Sequence, residues 1–209
     1  MKHIVLMGDS IFDNVTYTQG GPSVIDQLQS ELSSGDRASL LAVDGDTTIN
    51  VAAQIRRVPS TASHLVLSVG GNDALRQLDT LQTPARTVYK ALETLADMAA
   101  RFNADYRNML KQVVDIHKPL MLCTVYDSVP GLTPALQTAL TLFNDVIVRA
   151  AIENALPVLD LRIICREAED YSALSPIEPS SHGGAKIAKA IARALSAHDD
   201  SLRACRVYV

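Results

Sequence analysis

Three short runs in this chain carry a hydroxyl, a flexible turn and a side-chain amide that could serve one reaction. They are Gly8-Asp9-Ser10-Ile11, Asp44-Gly45-Asp46-Thr47-Thr48 and Gly70-Gly71-Asn72-Asp73. Singly, each has an ordinary role. A serine after a strand is a turn or cap residue, a lone glycine is a turn glycine, and Asn72-Asp73 can cap a helix beginning at Ala74. Together they have a chemical logic. Ser10 would supply a nucleophilic oxygen, while the Gly45 N–H and the Asn72 amide would donate to the oxyanion that acyl transfer creates. Nucleotide chemistry fits less well, because no GxGxxG follows the first run and no GxxxxGK[ST] occurs in the chain.

What could bring these runs together is a parallel sheet. Short, nearly continuous apolar stretches, as expected of strands buried on both faces, occur at 4–7, 40–43, 65–69, 120–125 and 158–161. Helical periodicity fills the gaps. Val24, Leu28 and Leu32 share one face. After Thr83-Pro84, which reads as an N-cap with proline at N1, apolar residues recur from Val88 to Val113, with a break expected near Asn103. Thr133-Pro134 opens another helix that should stop before Pro157, and a last helix begins near Pro179. This alternation predicts one domain over residues 1–209, a five-stranded parallel sheet covered by helices in an α/β architecture. Ligands in such sheets bind beyond the carboxyl ends of the strands, where all three runs fall. The tail at 203–209 could be an extra edge strand or a loose end.

Composition narrows the function classes. A net charge of −4 and no Lys/Arg run give no footprint for nucleic acid. With aromatics at 4 % and no Trp, base-stacking platforms are also disfavoured. The cysteines, Cys123, Cys165 and Cys205, are odd in number and widely spaced, which predicts reduced thiols and a cytoplasmic protein. They form no metal-binding pattern, so no metal or cofactor is expected. The apolar stretch at 4–7 is too short for a signal sequence, and no membrane span is expected.

In order and spacing, Gly8-Asp9-Ser10-Ile11, Gly45-Asp46-Thr47-Thr48 and Gly70-Gly71-Asn72-Asp73-Ala74-Leu75-Arg76 resemble the SGNH hydrolases, also called the GDSL esterase and lipase family. The resemblance spans the chain and implies a flavodoxin-like three-layer α/β/α sandwich. It implies a hydrolase cleaving carboxylic esters or thioesters of small-molecule acyl substrates through an acyl-serine intermediate. The nucleophile would be Ser10, and the oxyanion hole would be the Ser10 N–H, the Gly45 N–H and the Asn72 amide.

The family's fourth signature, D-x-x-H-P-[SN]-x-x-G, departs here. Aligned on Pro179, Ser180 and Gly183, the acid becomes Ser175 and the histidine becomes Glu178. His182 lies four residues further on, about 5.4 Å along a helix, whereas a serine–base hydrogen bond needs about 2.6–3.2 Å. Three arrangements follow. His182 leans back toward the helix N-terminus and Glu178 orients it; or Glu178 is itself the base, with burial raising its pKa toward about 6–7; or neither serves and the site is a weakly catalytic or purely acyl-binding module. His3, His64 and His117 precede strands and should lie at the wrong end of the sheet. Asp127 follows the fourth apolar stretch and reads as a turn residue or a spare carboxylate.

Overall fold

The computed structural model describes residues 1–201 and 204–209. Six parallel strands form one sheet in the order β2-β1-β3-β4-β5-β6. They are β1 (His3–Gly8), β2 (Arg37–Leu40), β3 (His64–Ser68), β4 (Leu120–Cys123), β5 (Val158–Leu159) and β6 (Val207–Tyr208). The helices are α1 (Val24–Glu31), α2 (Val51–Ile55), α3 (Gly71–Leu75), α4 (Leu78–Leu81), α5 (Val88–Val114), α6 (Pro134–Glu153), α7 (Leu161–Ile164) and α8 (Ser181–Ala197).

Alternation along the strands divides the core between the two faces of the sheet. Val5, Met7, Leu65, Leu67 and Leu122 pack with α2, α5 and α6. Ile4, Leu6, Val66, Met121 and Leu159 pack with α1, α7 and α8. This is the expected three-layer sandwich. The strand order reverses between β1 and β3, which makes their carboxyl ends the switch point at which such sheets bind ligands.

The sheet has six strands where five were expected, because residues of the tail pair with β5 through Val158↔Val207 and Leu159↔Tyr208; residue 203 of that tail lies outside the described residues. Strand β2 sits three residues earlier than the apolar stretch at 40–43. It is an edge strand, half-exposed, so apolar content does not mark it. Helix α5 begins at Val88, where the Thr87 hydroxyl accepts from the Lys90 N–H, and not after Thr83-Pro84. It runs unbroken past Asn103. Thr133 caps α6, with Pro134 at its start, as expected. By length and hydropathy α6 could span a membrane. Its buried side, including Phe143 and Ile147, packs into the core beneath the sheet. All three cysteines are free thiols.

Candidate active site

The site begins where β1 ends. Gly8 has φ 123°, and a Cβ there would lie 1.7 Å from the Ser68 carbonyl oxygen of the adjacent strand. Only glycine lets β1 and β3 stay paired at Gly8↔Ser68 while the chain turns sharply. The turn is closed by the Asp9 carboxylate, which accepts the Ile11 N–H at 3.1 Å. It delivers Ser10, 5 % exposed, to the wall of a cavity. Among the described residues the Ser10 N–H has no hydrogen-bond partner.

Asn72, in the first turn of α3, lines the same cavity. Its Nδ2 donates to the Asp46 carbonyl at 2.9 Å, which joins the amide to the Gly45-Asp46 turn and leaves its second N–H for another acceptor. The Gly45 N–H likewise has no partner among the described residues. The second and third runs are therefore tied to each other, and the first is tied to them by Gln54. This buried α2 side chain accepts from the Gly8 N–H at 2.8 Å, and donates to the Gly8 carbonyl at 2.7 Å and to the Asp46 carboxylate at 2.8 Å. Asp73 adds a further clamp, accepting from the Thr48 N–H at 3.1 Å and the Thr48 hydroxyl at 2.7 Å.

Glu178 completes the polar end of the cavity. It is 5 % exposed and lies ahead of α8, in a segment fixed on several sides. The Ser172 N–H donates to its carbonyl at 2.8 Å, and its own N–H donates to the Ser175 carbonyl at 3.0 Å. Tyr126 Oη–H donates to the Ile177 carbonyl at 2.6 Å, and Asn14 Nδ2 donates to that of Pro179 at 3.1 Å. Behind the segment, Gly183 packs so closely on the Asp170 backbone that a Cβ would lie 2.1 Å from its carbonyl oxygen.

Burial pushes the Glu178 carboxyl up to about 7; the neighbouring Ser10 hydroxyl opposes this by favouring the ionised form, and Asp44 adds repulsion. The Ser10 hydroxyl and the carboxyl stand side by side without a hydrogen bond of regular geometry, and Oε2 is buried without a partner. Catalytic hydrogen bonds are commonly loose before substrate arrives. Burial also raises the Asp9 carboxyl well above its ordinary value, with repulsion from Glu178 and Asp73 adding to it. Asp9 therefore keeps its proton to higher pH than an exposed aspartate would.

His182 does not join this group, and the Ser10–His182–Glu178 relay is not assembled. Helix α8 starts at Ser181, capped by the Ser180 hydroxyl accepting from the Gly183 N–H. The imidazole leaves the first turn away from the cavity. Its Nε2 lies 3.7 Å from Asp170 Oδ1, and the side chain is 59 % exposed. Glu167, Asp170 and His182 form a grouping whose possible ligand atoms lie within 4.8 Å of one another. Lys186 Nζ already sits 2.8 Å from both carboxylates. Asp127 does not line the cavity; its carbonyl accepts from Gln137 at 3.2 Å. His3 and His64 lie at the opposite end of the sheet, at the starts of β1 and β3.

Sequence reasoning passed over Gln54 and Asn14, whose roles depend on partners 46 and 165 residues away. It also missed the cavity itself, about 250 Å³ in volume. One signal was available for part of its wall, since Leu136, Leu140 and Phe143 recur at helical spacing.

Solved structures with the same fold include the lipase Lip_vut3 from a goat rumen metagenome, at TM-score 0.69 and 17 % identity, covering 90 % of this chain and 95 % of that one. The acetylxylan esterase Axe2 from Geobacillus stearothermophilus aligns at TM-score 0.68 and 18 % identity, covering 95 % of each chain. A lipase/acylhydrolase from Enterococcus faecalis aligns at TM-score 0.64 and 21 % identity, covering 93 % of this chain and 95 % of that one. No curated protein matches the chain. The model of the GDSL-like lipase/acylhydrolase family matches residues 6–186, a span that holds the strand-end runs and the Glu178 segment alike, and the chain belongs to that family.

Proposed function

We propose that this protein is a serine hydrolase in which Glu178 does the work of the general base. The observation that carries the reading is the convergence of four features at one end of one cavity. These are the Ser10 hydroxyl, the Ser10 N–H, which has no partner among the described residues, the Asn72 amide, bonded to the turn that carries Gly45, and a buried carboxyl with an unpartnered oxygen. Axe2 and the Lip_vut3 lipase act on esters by their names, and a serine-to-alanine form of Axe2 is described as a catalytic mutant.

Ser10 Oγ attacks the acyl carbon as the Glu178 carboxylate takes the hydroxyl proton. The carbonyl oxygen gains the negative charge and is met by the Ser10 and Gly45 N–H groups and by Asn72 Nδ2. As the tetrahedral intermediate collapses, protonated Glu178 returns the proton to the departing alkoxide or thiolate, leaving an acyl-Ser10 ester. Water then repeats the sequence, giving its proton to Glu178 and releasing the carboxylic acid. A base near the working pH is effective in both directions, and burial raises a glutamate into that range without an imidazole.

Labelling with a fluorophosphonate tests this. Wild-type protein is expected to be modified at Ser10 and Ser10→Ala to stay unmodified, with hydrolysis of short acyl esters lost in parallel. Wild-type protein that neither labels nor hydrolyses would favour an acyl-binding module on the same fold.

A further inference from the structure

The cavity beside Ser10 is polar at one end only. Asp9, Ser10, Asn72 and Glu178 gather there, and the remaining walls are almost wholly hydrocarbon. Two helix faces make those walls. On one side Ala74, Leu75, Leu78 and Leu81 point inward from α3 and α4; on the other Leu136, Ala139, Leu140 and Phe143 do so from α6. The α6 set follows the spacing that places residues on one helix face, while the other set comes from two short successive helices. Met98 of α5 lines the cavity as well and is 2 % exposed, as Ala139 at 5 % and Phe143 at 3 % are nearly sealed. The result is a slot between opposed apolar helices that opens onto a nucleophile.

From this geometry we infer that the slot holds an unbranched aliphatic acyl chain, so that the substrate is a medium-chain fatty acyl ester or thioester. The inference rests on Ser10 being the nucleophile and adds the identity of what it is acylated by. A sugar or peptide group in the slot would bury hydroxyls or amides against leucine and phenylalanine walls with nothing to bond. An alkyl chain asks for no partner there. An apolar cavity of about 150 Å³ accepts a benzene ring, so this one, at about 250 Å³, has room for roughly ten carbons. The acyl part of the ester is the occupant assigned. It stays attached to Ser10 through both chemical steps, whereas the alcohol must depart before water can enter. Each methylene moved from water into the slot is worth about 0.8 kcal/mol, a factor of roughly four in kcat/KM.

A series of p-nitrophenyl esters from acetate to palmitate reads this directly, because the leaving group is constant. Rising kcat/KM per added methylene is expected up to a maximum between the six- and ten-carbon acyl chains, followed by a fall at palmitate. Ala139→Phe should move the maximum to shorter chains. Leu78→Asp, at a wall position 40 % exposed where folding is undemanding, should cut the octanoate-to-acetate ratio at least tenfold. A maximum at acetate, a ratio unchanged in both variants, or a rise seen only when the alcohol of an acetate ester is lengthened would overturn the assignment while leaving Ser10 a nucleophile. Failure of every ester together with failure of fluorophosphonate labelling would remove the reading beneath it, and this assignment with it.

Discussion

In the proposed role Glu178 must be ionised in a place where burial favours the neutral acid, so the burial that would tune it for catalysis also carries a cost in stability. Its pKa in the folded chain is pushed up to about 7 from an ordinary 4.5. Between those two values the folded protein binds a proton that the unfolded chain does not hold. Stability from this group is therefore full below the unfolded value and is lost as pH rises through the folded one. Glu178→Gln removes the titration while keeping the shape of the side chain. The variant is expected to match wild type near pH 4 and to exceed it by order 2 kcal/mol at pH 8, measured by urea unfolding at the two pH values. Equal stability of the two proteins at pH 8 would show that the carboxyl is better solvated than its 5 % exposure indicates. His182 is exposed at the first turn of α8, beside Asp170.

At the scale of elements, the site depends on α2 holding two strand ends in register. The Gln54 side chain bridges Gly8, which sets the direction of Ser10, and Asp46, whose carbonyl orients Asn72. Gln54→Ala would strip three hydrogen bonds from a residue 1 % exposed. Misplacement by about 1 Å can cost a hundredfold in rate, so kcat for ester hydrolysis is expected to fall ten- to hundredfold with KM changed by less than threefold. Steady-state kinetics separates the two. A proportionate rise in KM with kcat intact would place Gln54 in substrate binding instead. The same elements show what a single sequence can disclose. Ser10, Gly45 and Asn72 could be singled out because their runs lie in the segments that leave the carboxyl ends of β1, β2 and β3, so the local order of residues carries their position. Strand β2 was displaced because an edge strand, half-exposed, need not be apolar. The start of α5 was misread because Thr83-Pro84 and Thr87 both have cap chemistry, and the helix begins only at the second. Gln54, Asn14 and the slot were illegible because they arise from contacts between distant parts of the chain.

Across the whole molecule, the two halves of the core divide the labour of the site. The layer of α1, α7 and α8 fixes the Glu178 segment through Asn14, Ser172 and the Asp170–Gly183 contact. The layer of α2, α5 and α6 fixes the oxyanion donors and the apolar slot. In the proposed reading the nucleophile and the base meet because one sheet joins the two layers. That meeting is the central claim, and the pH dependence of Ser10 acylation tests it most directly. Pre-steady-state release of p-nitrophenol should rise with pH through a single ionisation near 7 in wild type and in His182→Ala. In Glu178→Gln the rate should be at least a hundredfold lower, with that ionisation gone. A profile that Glu178→Gln preserves and His182→Ala abolishes would contradict the account.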